Sequence, residues 1–339
     1  MARRLRASAW TRSFERSFAA FSRSALKAGA GAMARNLDRA RASARARRKP
    51  TRGAGDWLPG IALGAGGARR FRLYRPFAVA LGERLPLLVM LHGCGQDAAG
   101  FADSTRMNRI AERERFLVLY PEQERLANAQ GCWNWFDTAS GRAQAEGALI
   151  MKAVDQVCLF YPVDTARIAI AGLSAGASMA ALLVTKHPGR FKAVVMHSGI
   201  PPGTAHSGLS AIGAMRGRRA TQALAATPDT MAAQLPPLLV IHGARDAVVS
   251  PENGRAAVQT WAAASGARAV LAREVQRGQR YPSTVTDFKR RGVTVATLVE
   301  IARLGHAWSG GAARLPFGDG LGPDASRMVW AFASRQFAT

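Results

Sequence analysis

From Asp56 onward, apolar runs of strand length alternate with segments of helical period. "LPLLVMLHG" (Leu85 to Gly93) and "RFLVLYP" (Arg115 to Pro121) are continuously apolar, as strands covered on both faces are. "RRFRLYRPF" (Arg69 to Phe77) instead alternates, which predicts an early edge strand. "STRMNRIAERE" and "GALIMKAVDQVCLFY" carry a helical period, and the second leads into the strand "ARIAIAGL". Three more strands are predicted in "FKAVVMHSG" (Phe191 to Gly199), "LPPLLVIHG" (Leu235 to Gly243) and "GVTVATLVEI" (Gly292 to Ile301). "DASRMVWAFASRQF" closes the series as a helix. Strands alternating with helices predict a mostly parallel sheet covered on both faces.

One junction in this series carries a hydroxyl. "ARIAIAGL" runs into Ser174, and "AGASMAALLVTKH" leaves it as a helix that stops at Pro188–Gly189. Gly172 and Gly176 flank the serine, giving Gly-x-Ser-x-Gly at a strand-to-helix turn. Such a turn strains the backbone, exposes Oγ above the sheet edge and aims helix amides at nearby charge. The pattern alone is a weak signal, with about 0.2 matches expected by chance in a chain this long; its setting between a strand and a helix gives it weight.

A serine hydroxyl needs a base to take its proton, and the base needs an acid to hold its tautomer. Around an elbow of this kind the partners follow in the order serine, acid, histidine, at strand ends. His306, in "IARLGHAWSGG", lies beyond every suitable acid and directly after "GVTVATLVEI". Asp246, in "HGARDAVVSPENG", follows the strand ending at Gly243. Asp287 falls in a hairpin-like stretch, and Asp319 and Asp324 come after the histidine. A developing oxyanion needs amide donors. The N–H of Ala175 is one; the N–H of Cys94, in the turn after "LPLLVMLHGCGQ", is the other. His92 reads as a brace for that turn rather than a catalyst.

"LHGCGQ", "MNRIAERERFLVLYPEQ", "GCWNWF", "GLSAGASMA", "HGARDAVVSPENG" and "GHAWSGG" together resemble the catalytic domain of the polyhydroxybutyrate depolymerase esterases. That family adjoins the feruloyl and acetylxylan esterases, and the resemblance runs from about Asp56 to Phe337. It implies an α/β-hydrolase fold, with a mostly parallel central sheet and helices on both faces. It also implies Ser174 as nucleophile, Asp246 as triad acid, His306 as base and Cys94 at the oxyanion hole. The implied activity is hydrolysis of poly- or oligo-3-hydroxybutyrate esters through an acyl-enzyme. A feruloyl- or acetylxylan-type esterase on the same triad is the alternative, and a granule- or surface-binding protein the non-enzymatic one. No metal or organic cofactor is implied. Trp133, Trp135, Trp308 and Gln96 are candidate substrate contacts, the tryptophans reading equally well as core residues. The Gly-, Ala- and Pro-rich segment 200–236 is a candidate cap.

Composition changes the picture at the ends. Of the net charge of +25, residues 1–52 carry +13, from 15 Lys or Arg against Glu15 and Asp38. No module for reading nucleic acid accompanies this charge, so no nucleic-acid partner is expected. Trp10, Phe14, Phe18 and Phe21 fall at helical spacing among the arginines. Residues 1–55 thus read as a basic arm and linker, either a surface-binding amphipathic helix or a solvated tail, ahead of a catalytic domain over 56–339. The arm lacks the apolar stretch of a secretory signal. Secreted relatives carry such a signal and a substrate-binding domain, so granule or membrane attachment through residues 1–52 is the expected substitute. Cys94, Cys132 and Cys158 lack metal-ligand spacing; Cys94 and Cys132 fit either a bridge or two small buried thiols.

Overall fold

The computed structural model describes residues 54–219, 221 and 235–338. The expected amphipathic arm therefore lies outside the described residues. So do 220 and 222–234 of the expected cap.

The chain opens with an antiparallel hairpin, β1 (Asp56–Gly64) and β2 (Gly67–Arg75). There follow β3 (Leu85–Leu91), α1 (Ala98–Thr105), α2 (Met107–Glu114), β4 (Leu117–Pro121), α3 (Arg142–Phe160) and β5 (Val163–Leu173). Next come α4 (Ala175–Lys186), β6 (Ala193–His197), α5 (Gly208–Met215), β7 (Leu238–Gly243) and α6 (Glu252–Ser265). The last part holds the short β8 (Arg268–Ala269) and β9 (Arg273–Val275), then β10 (Ser283–Arg290) and β11 (Val293–Ile301). A two-residue pair, β12 (Trp308–Ser309) and β13 (Gly318–Asp319), precedes α7 (Ala325–Gln336).

Eleven of these strands form one sheet in the order β1-β2-β4-β3-β5-β6-β7-β11-β10-β8, with β9 also on β10. From β4 to β11 every pairing is parallel; both ends of the sheet are antiparallel. The middle strands read as unbroken apolar runs because both faces are covered: every residue of β3, β4, β6 and β7 is buried. Alternate residues serve opposite cores. Leu87, Val89 and Leu91 join the core under α3, α4 and α6, while Leu88 and Met90 join the one under α1, α2 and α7.

One strand expectation needs correcting. β2 is not the edge, because β1 pairs along its whole outer side. Pro59 and Gly60 in "DWLPGIALG" argue against a strand by local propensity. An outermost strand tolerates the missing proline N–H, and the Phe71 ring of β2 fills the space that Gly60 leaves. Within the expected cap, α5 starts at a Ser207–Ser210 capping box and is tied to the body by Asn253 Nδ2 donating to the Ala214 carbonyl at 2.9 Å.

The direction of winding reverses between β3 and β5, which are neighbours in the sheet with Leu91 opposite Gly172. In open α/β sheets the crevice beyond the strand ends at such a reversal is where ligands bind. The turn after β3 and the Ser174 turn after β5 therefore meet there.

Candidate active site

Ser174 has φ 56° and ψ −121°, a strained left-handed geometry for a residue with a side chain. Its N–H donates to the His197 carbonyl at 2.8 Å, fixing the turn to β6. The flanking glycines are required by close backbone approach. A Cβ on Gly176 would lie 2.2 Å from the Leu91 carbonyl oxygen, and one on Gly172 would lie 2.3 Å from the Gly176 carbonyl carbon. A side chain at either position would push β3, β5 and α4 apart.

His306 Nε2 lies 3.0 Å from Ser174 Oγ, and His306 Nδ1 lies 2.8 Å from Asp246 Oδ2. Asp246 Oδ1 accepts the amides of Val248 at 3.0 Å and Val249 at 2.8 Å. Burial alone would raise the Asp246 pKa. The adjacent His306, its hydrogen bond, His242 and the Val249 amide outweigh burial and hold the carboxyl below its ordinary value. A carboxylate that accepts from Nδ1–H leaves the Nε2 lone pair facing the serine. The three side chains come from the ends of β5, β7 and β11 and converge over one rim of the sheet.

The turn after β3 is locked from several sides. Cys94 and Cys132 form a disulfide, so of the two sequence readings it is the bridge that is present. The amides of Gly93, Gly95 and Gln96 are taken by Gln96 Oε1, the Gln130 carbonyl and the Gly93 carbonyl. Among the described residues no acceptor takes the Cys94 N–H. His92 Nε2 accepts the Gln123 amide at 3.1 Å, which places its proton on Nδ1, facing the Gly93 carbonyl at 2.9 Å. Burial drops the His92 pKa to about 4, so the ring stays neutral in this role. The Ala175 N–H belongs to the first turn of α4, where amides lack intrahelical partners.

The candidate substrate contacts divide. Trp133 and Trp308 have no exposed surface, which corrects their assignment as substrate contacts. Trp133 Nε1 donates to the His92 carbonyl at 2.9 Å, and Trp308 Nε1 to Ser326 Oγ at 3.0 Å, so both brace site loops from behind. Trp135, 7% exposed, stands edge-on to Phe136. Gln96 is half-buried, and its Oε1 is engaged by the Gly93 amide at 3.0 Å. A cavity of about 340 Å³ opens elsewhere, between the β1–β2 turn and α3 beside Arg69, Glu124, Arg142 and Glu146; none of the candidate site residues lines it.

His242 precedes Asp246 in the chain and so falls outside the order serine, acid, histidine. It is fully buried at the end of β7, its Nε2 3.0 Å from the Val249 carbonyl and 3.5 Å from Asp246 Oδ2. It thereby supports the turn that presents the acid. A histidine closing an otherwise apolar strand was the available signal.

This sheet, with its covering helices and its turn after β5, is the α/β-hydrolase fold. An acetyl xylan esterase from Aspergillus awamori superposes with a TM-score of 0.57 at 18% identity, covering 74% of this chain and 94% of that one. The family model described as esterase PHB depolymerase matches residues 69–275, and the chain belongs to that family. Poly(3-hydroxyalkanoate) depolymerase C of Paucimonas lemoignei is 30% identical over 186 residues, 51% of this chain and 44% of that protein. The chain thus spans less than half the length of that relative. Feruloyl esterase B of Neurospora crassa is 25% identical over 203 residues, 56% of this chain and 68% of that protein.

Proposed function

We propose that the chain is a serine esterase that hydrolyses short-chain hydroxyalkanoate esters by two-step acyl transfer. The observation carrying this reading is the hydrogen-bonded series Ser174–His306–Asp246. His306 Nε2 takes the Ser174 proton as Oγ attacks the ester carbonyl, and Asp246 stabilises the imidazolium that forms. The Ala175 and Cys94 amides receive the oxyanion. As the tetrahedral adduct collapses, the C–O bond to the alcohol breaks and His306 returns the proton to the leaving oxygen. Water, deprotonated by the same nitrogen, then attacks the acyl-enzyme; the acid leaves and Ser174 regains its proton.

The choice of hydroxyalkanoate rests on the family and on the depolymerase relative. Feruloyl and acetylxylan esterases among the relatives favour a second reading, release of ferulate or acetate from carbohydrate. Residues 56–339 form the catalytic domain in this proposal, and residues 1–55 an arm for a granule or membrane surface. Parallel assays on 3-hydroxybutyrate oligomers, methyl ferulate and acetylated xylan test the substrate, with Ser174→Ala as control. The oligomers are expected to give the largest kcat/KM, and Ser174→Ala to bring every rate to background. Substantial hydrolysis by the alanine variant would overturn the nucleophile assignment.

A further inference from the structure

In the sheet, β11 lies three positions from β5, across β6 and β7. At about 4.8 Å per strand, the loop carrying His306 must reach back about 14 Å to meet Ser174. Over β7 it is held by main chain: the Ala244 amide donates to the Ile301 carbonyl at 2.9 Å, and the Arg245 amide to the Leu304 carbonyl at 3.0 Å. Over β6 the support is a side chain. His197, the last residue of β6 and fully buried, sets its Nε2 3.1 Å from the Ser309 amide. Its ring stacks on Trp308, with centroids 5.0 Å apart and planes 24° from parallel. Both neighbours lie within three residues of His306. The carbonyl of the same His197 accepts the Ser174 amide.

We infer that His197 is a positioning residue for this hydrolysis, its carbonyl fixing the nucleophile's turn while its ring fixes the loop that carries the base. The inference rests on the reading of Ser174 and His306 given above. A backbone N–H only donates, so Nε2 must carry the lone pair and the ring proton must sit on Nδ1, 3.2 Å from Ser198 Oγ. An imidazolium could not accept the Ser309 amide. Burial, then the charges of His242 and His306, drop the ring's pKa to about 3 and exclude that form at working pH. One residue thus holds both halves of the 3.0 Å Ser174–His306 contact.

The test compares His197→Leu, His197→Gln and Ser198→Ala with the unaltered chain and Ser174→Ala. Each is assayed for kcat and KM on 4-nitrophenyl butyrate and for Tm. Leucine removes the acceptor, and kcat is expected to fall about 100-fold with KM little changed, the scale set by an ångström of misplacement. Glutamine can offer Oε1 to the Ser309 amide and is expected to recover about tenfold of that loss. A purely structural role would lower Tm in both variants without separating their kcat values. Should the leucine variant fail to fold, Ser198→Ala removes the acceptor 3.2 Å from the buried Nδ1–H, loosens the ring's hold on the loop and is expected to lower kcat several-fold. Unchanged kcat in His197→Leu, or in Ser198→Ala where leucine is not tolerated, would overturn the inference provided Ser174→Ala is inactive. Activity surviving in Ser174→Ala would instead overturn the reading of the site.

Discussion

Replacing Asp246 by asparagine tests the acid's role with little change of shape. Asp246 Oδ1 already accepts two amides, from Val248 and Val249. An asparagine must therefore keep its carbonyl oxygen there and turn its NH₂ toward His306 Nδ1. Two donors cannot face each other at 2.8 Å, so His306 has to move its proton from Nδ1 to Nε2. That nitrogen lies 3.0 Å from Ser174 Oγ and could then no longer take the serine proton. The imidazolium formed during attack also loses its anionic partner. Triads with the wrong tautomer lose about 10⁴ in kcat, equivalent to about 5 kcal/mol of barrier. The check is kcat on a soluble 4-nitrophenyl ester, with Tm and far-UV circular dichroism to establish that the variant is folded. A folded Asp246→Asn protein within tenfold of the original kcat would refute the reasoning.

Two further predictions concern stability. His92 and His197 are held at about 4 and about 3 by burial, against about 6.5 in the unfolded chain. Between those values the unfolded state binds two more protons, so stability is complete above pH 6.5 and falls by up to about 2.7 kcal/mol per unit as pH drops toward 4. Urea unfolding at pH 7, 6 and 5 should show falling midpoints; a flat profile would contradict the neutral buried rings. The Cys94–Cys132 bridge spans 38 positions, which in the chain-entropy model stabilises the fold by about 4 kcal/mol. Paired Cys94→Ala and Cys132→Ala changes should remove most of that in urea unfolding. They should also lower kcat about tenfold, because the bridge anchors the turn that carries the Cys94 amide. Unchanged stability and kcat would show the turn to be held without it.

What the sequence determined is what local chemistry dictates. Unbroken apolar runs marked the buried parallel strands, and Gly172 and Gly176 around Ser174 marked a strand-to-helix turn, since only glycine survives backbone contact that close. The order Ser174, Asp246, His306 could be read because each follows its own strand. Strand β1 is not legible in the sequence because its proline and glycine are tolerated only at an edge, and edge position belongs to the assembled sheet. The tertiary structure alone decided the rest. Trp133 and Trp308 are as compatible with a cleft as with a core until the packing around them is known. The pairing of Cys94 with Cys132 depends on two loops meeting. His197 and His242 each close an apolar strand, which marks them as buried polar groups, but they acquire their partners only when β11's loop and the Asp246 turn fold over them. Periodicity reports which face of an element is covered; what covers it depends on contacts between residues remote along the chain.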